Sequence, residues 1–154
     1  MAGEYATLAE MASRLLLAAA ALALSACANG PAIRPVTAPG VSLLCIKRNP
    51  QVARPDFIAE LRAQLAARGF ESLAYDDVAP AGCRYRMLYW ASWHWDLAMY
   101  LHFADLRVYD GAALVGEASY DARESGLRLG KYRPTSEKLG FLLDRLFPKA
   151  APRP

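Results

Sequence analysis

The sequence predicts an α+β domain, a two-layer sandwich in which a mainly antiparallel sheet of about five strands carries two helices on one face. Three observations lead there. Residues 55–70 and 135–147 place apolar side chains at helical spacing. The long stretch 83–121 alternates apolar and polar residues, the pattern of half-buried strands. Within it, Asp110-Gly111 is a strong hairpin signal. The order strand, helix, four strands, helix segregates the helices to one sheet face and leaves the other open.

Each element has a local reason. VSLLCIKR (41–48) is a short apolar run ending in charge, which reads as a buried strand, and Asn49-Pro50 breaks it. In PDFIAELRAQLAARGF (55–70), Pro55 suits a first helical turn, Asp56 favours the positive helix end, and Gly69 closes the element. Its apolar stripe is Phe57 or Ile58, Leu61 and Leu65. Phe70 to Tyr75 is a second strand, and DDVAPAG (76–82) is a turn-rich loop. Strands follow over 83–94, 98–109 and 114–121, with turns near 95–97 and at Asp110-Gly111. Thr135 is placed to cap a final helix through Phe147, with Leu139, Leu142, Leu143 and Leu146 on one face and Pro148 as the stop.

The chain has 154 residues, over half of them hydrophobic, which fits one domain with a real core. Its net charge is +3. Without residues 1–26, which take Arg14, Glu4 and Glu10 with them, 17 basic and 13 acidic residues remain, a net +4. The basic residues are scattered, so nucleic acid is not an expected partner.

LLLAAAALALSAC (15–27) is an apolar run that follows Arg14, closes on small residues and stops at a cysteine. It is short for a spanning helix, which needs about 20 apolar residues. The layout is that of a secretory signal. Leu24-Ser25-Ala26-Cys27 resembles the lipobox of bacterial lipoproteins. That resemblance implies cleavage between Ala26 and Cys27, with diacylglycerol on the Cys27 sulfur and palmitate as a further lipid. Residues 1–10 carry two acids and no base, so Met11 is the better start of the signal. Ala28, rather than aspartate, implies the outer membrane, with the domain facing the periplasm. Residues 28–40 hold prolines at 31, 35 and 39 and read as an extended tether. The domain is expected over 41–148, and 149–154 as a disordered tail.

The elements CIKRNPQVARPDF, CRY, WHWDLAMYL, VYD and KLGFLLDRLFP are similar to those of a family of uncharacterised Gram-negative lipoproteins. The similarity spans nearly the whole chain after Cys27 and implies no known activity. The element order is also similar to that of the TolB amino-terminal domain, a fold-level likeness that carries no site.

YWASWHWDLAMYLHF (89–103) contains all three tryptophans and both histidines. Pairing the strands with Tyr85 opposite Val108 and His94 opposite Met99 puts Tyr85, Met87, Tyr89, Ala91 and Trp93 on one face, with Val108, Leu106, Ala104, His102 and Tyr100 facing them. This is the more apolar set and is assigned to the core. Leu114, Gly116, Ala118 and Tyr120 join it. The other face has a polar base, with Arg84, Arg86, Arg107, Asp105 and Glu117, and an aromatic end with Trp90, Phe103, Leu101 and Met99. That end is either a docking surface, with Arg86 and Arg107 adding charge selectivity, or is covered by 28–40 or 122–134.

Cys45 and Cys83 remain after lipidation, in an oxidising compartment that favours a disulfide. A bridge would close a loop of about 39 residues, worth about 4 kcal/mol in the chain-entropy model. His94 and His102, with Asp96 or Asp105, invite a metal or acid–base role. In the expected register the histidines point to opposite faces, and a zinc site needs three or four convergent ligands. No serine lies in a GxSxG context, Ser92 is about 7 Å along the strand from His94, and GLRLGK (126–131) lacks phosphate-loop spacing. No cofactor is expected. The leading expectation is a non-enzymatic envelope lipoprotein that binds another envelope component. The alternatives are a lipid or small-molecule carrier whose cavity Trp93, Tyr100 and Tyr89 line, and then a hydrolase dependent on His94.

Overall fold

A computed structural model describes residues 32–123 and 130–148. Arg14, Ala26, Cys27 and most of GLRLGK lie outside the described residues. Strand β1 is Ile33–Arg34, β2 Leu43–Lys47 and β3 Glu71–Tyr75, with helix α1 over Asp56–Ala66 between the last two. Strands β4 (Tyr85–Asp96), β5 (Ala98–Asp110) and β6 (Ala113–Asp121) follow, then a 3-10 turn at Gly130–Tyr132 and helix α2 over Thr135–Leu146. The sheet has six strands in the order β1-β6-β5-β4-β2-β3. β2 runs parallel to β3 and β4, and the remaining pairs are antiparallel. The fold is the expected α+β sandwich with one strand more than expected. Among the described residues no helix is long and apolar enough to cross a membrane.

Both helices bury their apolar stripes against one sheet face. α1 contributes Phe57, Leu61 and Leu65, and α2 contributes Leu139, Leu142, Leu143 and Leu146. They meet Leu44, Ile46, Met87, Leu106, Val108 and Ala118. Burial of each such side chain is worth about 1.5–3 kcal/mol. Arg68, just past α1, ties the helices together through Asp144 Oδ1 at 2.9 Å and the Gly140 carbonyl at 2.9 Å. Thr135 does not cap α2. It is the first helical residue, the preceding Pro134 sits at ψ 146°, and no side chain bonds the free amides.

The extra strand comes from the segment expected to be a tether. Ile33 pairs with Ala118 and Arg34 with Glu117. The chain then crosses to the helical layer, where the Val36 amide donates to the Leu146 carbonyl at 2.8 Å and the Tyr85 hydroxyl donates to the Pro39 carbonyl at 3.1 Å. Residues 32–40 are therefore docked on the domain, which begins earlier than residue 41. Two residues of strand leave no periodicity to read.

The β4–β5 register differs from the expected one. Tyr85 faces Asp110, Met87 faces Val108 and Tyr89 faces Leu106, a slip of two residues. An even slip leaves every side chain on its expected face. Between Ser92 and Trp93 the register shifts again, because His102 is an extra residue in β5. From there on Trp93 faces Leu101, His94 faces Tyr100 and Trp95 faces Met99. Leu101 thereby enters the core at 1% exposure, against the expectation that it lies on the open face. A second bulge, where β5 passes β6 beyond Val108, brings Val115 against the core in place of Leu114.

Cys45 and Cys83 form the expected disulfide, with Cα atoms 5.9 Å apart. β3 lies outside β2, so β2 is free to sit beside β4, and Cys83 just precedes β4. Leu44 and Ile46 face the helices, so Cys45 points to the other side of the sheet.

Gly116 of β6 sits beneath Val36, two residues past β1, and Leu146 of α2. A Cβ there would lie 2.3 Å from Val36 Cγ2 and 3.2 Å from Leu146 Cδ1. Gly116→Ala is expected to cost about 1–3 kcal/mol by overpacking. Urea unfolding should show a lower midpoint with an unchanged m-value, and an unchanged midpoint would refute the close approach.

Candidate functional site

The sheet face away from the helices carries the even-numbered residues of β4 and their neighbours. Its base is a field of paired charges. Arg107 bonds Asp105 at 2.9 Å and Arg34 reaches Glu117 at 3.7 Å, while Arg84 bonds Asp110 at 2.8 Å at the end of the sheet, where Asp110 stands opposite Tyr85. Arg86 donates to the Gly111 carbonyl. Burial pushes the Asp105 carboxyl above its ordinary range although Arg107 opposes this, and the Asp105 charge raises Arg107. Arg86 and Arg107 thus lie on the expected face and both have partners within the fold.

Next to this field lie Leu88, 38% exposed, and Trp90, 39% exposed. Trp90 faces Asp105, and Phe103, half-buried, faces Ser92 and Asp121. Trp90 and Phe103 therefore share the expected face. Leu101 does not, and Met99 lies opposite Trp95 on the far side of the bulge, 53% exposed. The described part of 28–40 crosses to the helical side, and Lys131 and Tyr132 meet the hairpin end, through the Asp96 side chain and carbonyl and the Tyr100 ring. No described contact of either segment falls on Trp90.

The bulge also brings the histidines together. Their rings stack with centroids 4.1 Å apart and planes 7° apart, so they share a face, contrary to the expectation of opposite faces. Burial, and then the neighbouring His94 charge, lower the His102 pKa. His102 Nδ1 is buried with no hydrogen-bond partner among the described residues. Two imidazoles fall short of a metal site, and no group of three or more His, Cys, Asp or Glu suited to a metal occurs among the described residues. Tyr89 and Trp93, expected as possible cavity lining, instead pack on Phe57 at 5.4 and 5.5 Å, and Tyr100 packs on Tyr132 at 5.7 Å.

Two features escaped the sequence reading. One is the exposure at the hairpin tip, where the turn expected near 95–97 leaves Trp95 71% and Leu97 87% exposed. Leu97 alone separates β4 from β5 and holds φ at 61°, which costs a residue with a branched side chain about 1–3 kcal/mol. Asp96-Leu97 carries none of the glycine or asparagine that announces such a turn. The other is Lys138, 5% exposed on the apolar face of α2. Its ammonium donates to the Leu101 carbonyl at 3.0 Å and to the Lys131 carbonyl, and lies 4.9 Å from the Tyr120 ring and 5.7 Å from the Tyr100 ring. Desolvation lowers its pKa to about 8, with the Glu137 charge opposing. Position 138 is one turn before Leu142, so helical spacing did place it on the buried stripe.

No family model and no curated protein matches the chain. Among solved structures it is similar to two PelC dodecamers from Paraburkholderia phytofirmans. A point-substituted form is 14% identical, with 76% of this chain and 92% of that chain covered and a TM-score of 0.43. A second crystal form is 13% identical, with 76% and 94% covered and a TM-score of 0.41.

Lys138 dictates a pH dependence. The buried ammonium has a lower pKa than in the unfolded chain, so the unfolded state binds more protons between about pH 8 and 10.5. Stability from this group is least below pH 8 and rises as pH climbs through that window. Wild type should therefore gain on Lys138→Met between pH 8 and 10.5 in urea unfolding. A constant difference between the two would refute the buried charge.

Proposed function

We propose that the chain is a lipid-anchored accessory protein of the outer membrane, without catalytic activity, whose uncovered sheet face binds another envelope protein. One observation carries the reading. Both helices lie on one side of the sheet, and the other side keeps Leu88 and Trp90 more than one-third exposed beside a field of internally paired charges. A large aromatic left in water at the centre of a strand is the usual mark of a docking surface. The partner's contact is apolar at Trp90 and Leu88 and polar around Arg86, Arg107 and Asp105. The carrier alternative loses support because the rings it needs as lining are packed on one another's neighbours.

The anchor rests on the lipobox at Leu24-Ser25-Ala26-Cys27. Cys27→Ser should abolish incorporation of labelled palmitate and leave the protein at its uncleaved mass. Labelling of the variant equal to wild type would sink the lipid reading. For docking, a photocrosslinker replacing Trp90 in intact cells should give a discrete heavier band. The same probe at Phe141, which is 48% exposed on α2, should give none. A bare Trp90 probe in the folded protein would end the proposal.

A further inference from the structure

The β4–β5 hairpin outruns the rest of the sheet. β2 pairs with β4 only from Tyr85 to Met87, and β6 pairs with β5 no further than Phe103. Beyond those points the hairpin is a two-stranded ribbon ending in Trp95, Leu97 and Met99, exposed by 71, 87 and 53%. Trp95 and Met99 face each other across it. The one acid between residues 95 and 101, Asp96, is neutralised by Lys131, so the tip is apolar and carries little net charge.

The amino-terminal segment enters at the same end of the molecule. β1 is antiparallel to β6, and Ala32 and Ser119 bond in both directions, through Ser119 N to Ala32 O at 2.9 Å and Ala32 N to Ser119 Oγ at 2.9 Å. Ala32 therefore stands level with Ser119, Asp105 and Trp90, with its upstream side toward the tip. From Trp90 to Asp96 the ribbon advances about 20 Å. From Ala32 back to Cys27 are five residues, a reach of at most about 17 Å. A lipid on Cys27 thus holds the membrane no farther from the sheet than the tip itself projects.

We propose that the tip of this hairpin, Trp95, Leu97 and Met99, inserts into the interfacial layer of the membrane that holds the Cys27 lipid, giving the domain a second attachment and a fixed orientation. The proposal rests on the anchored reading above. An indole beside aliphatic side chains, without net charge, suits the boundary between headgroups and acyl chains. A second contact at the same end adds to the hold of the lipid anchor and fixes the domain's orientation. The occupant is a lipid surface because the chain from Ala32 back to the anchor is too short to hold that surface beyond the reach of the tip. With the tip down, the uncovered sheet face stands upright and open to a partner.

The test uses full-length protein purified in detergent, with its intact mass read first, then reconstituted in phosphatidylethanolamine–phosphatidylglycerol vesicles with brominated acyl chains. An acylated Cys27, tryptophan quenching in wild type, and loss of most of that quenching in Trp95→Phe support insertion. Leu97→Glu should leave the thermal melt unchanged and abolish the quenching of Trp95. Acylated protein with no quenching, or with the same quenching in Trp95→Phe, overturns insertion and leaves the anchor standing. An unmodified Cys27 overturns both. Shielding of Trp95 from an aqueous quencher in cell envelopes but not in vesicles assigns the tip to a protein partner and likewise overturns the proposal.

Discussion

A sheet covered on one face only must keep its apolar side chains in phase, and that constraint organises this molecule. The two helices bring seven large apolar side chains to one side. Along β2, β4, β5 and β6 alternate residues must meet them, and a slip by one residue would turn a strand inside out. The other face then has to survive in water. It does so with the ion pairs Arg107–Asp105 along β5 and Arg34–Glu117 between β1 and β6, and with the disulfide that takes up Cys45 on a neighbouring strand. Exposed pairs of this kind add little stability each, but they keep arginines solvated and the face soluble.

The same constraint explains what was legible in the sequence. Tyr85, Met87, Tyr89 and Ala91 reveal their face by alternation alone, and α2 reveals its stripe by spacing, so fold class and core were readable. The expected register was two residues off and still assigned those faces correctly, because parity survives an even slip. Parity fails at a bulge. His102 is the inserted residue, and nothing in its neighbours marks it, so Leu101 and His102 were assigned to the wrong sides. β1 was missed because two residues have no period. Of the candidate site, Trp90, Phe103, Arg86 and Arg107 were legible from alternation. The turn near 95–97 was placed correctly, but the exposure of Trp95 and Leu97 was not foreseen, since apolar residues at a tip resemble strand residues.

The bulge and the buried lysine belong together. By turning Leu101 inward, the inserted His102 aims the Leu101 carbonyl to accept from Lys138. A buried ammonium is costly, and two carbonyls with the Tyr120 and Tyr100 rings offset part of that cost. The return is geometric. Lys138 pins the start of α2 to the part of β5 that has run past β6, and so stiffens the root of the projecting hairpin.

The two ends of the described domain close on each other. Val36, from the first strand's exit, packs on Gly116 and donates its amide to Leu146, the last residue of the last helix. The core on that side is therefore built from the first and the last described segments of the domain. A growing polypeptide leaves the part of the apolar face that α2 covers open until α2 emerges, so that part of the core closes after the rest of the described domain is made. For a chain that, on the reading proposed above, crosses a membrane amino terminus first, this order delays that closure until α2 is on the far side.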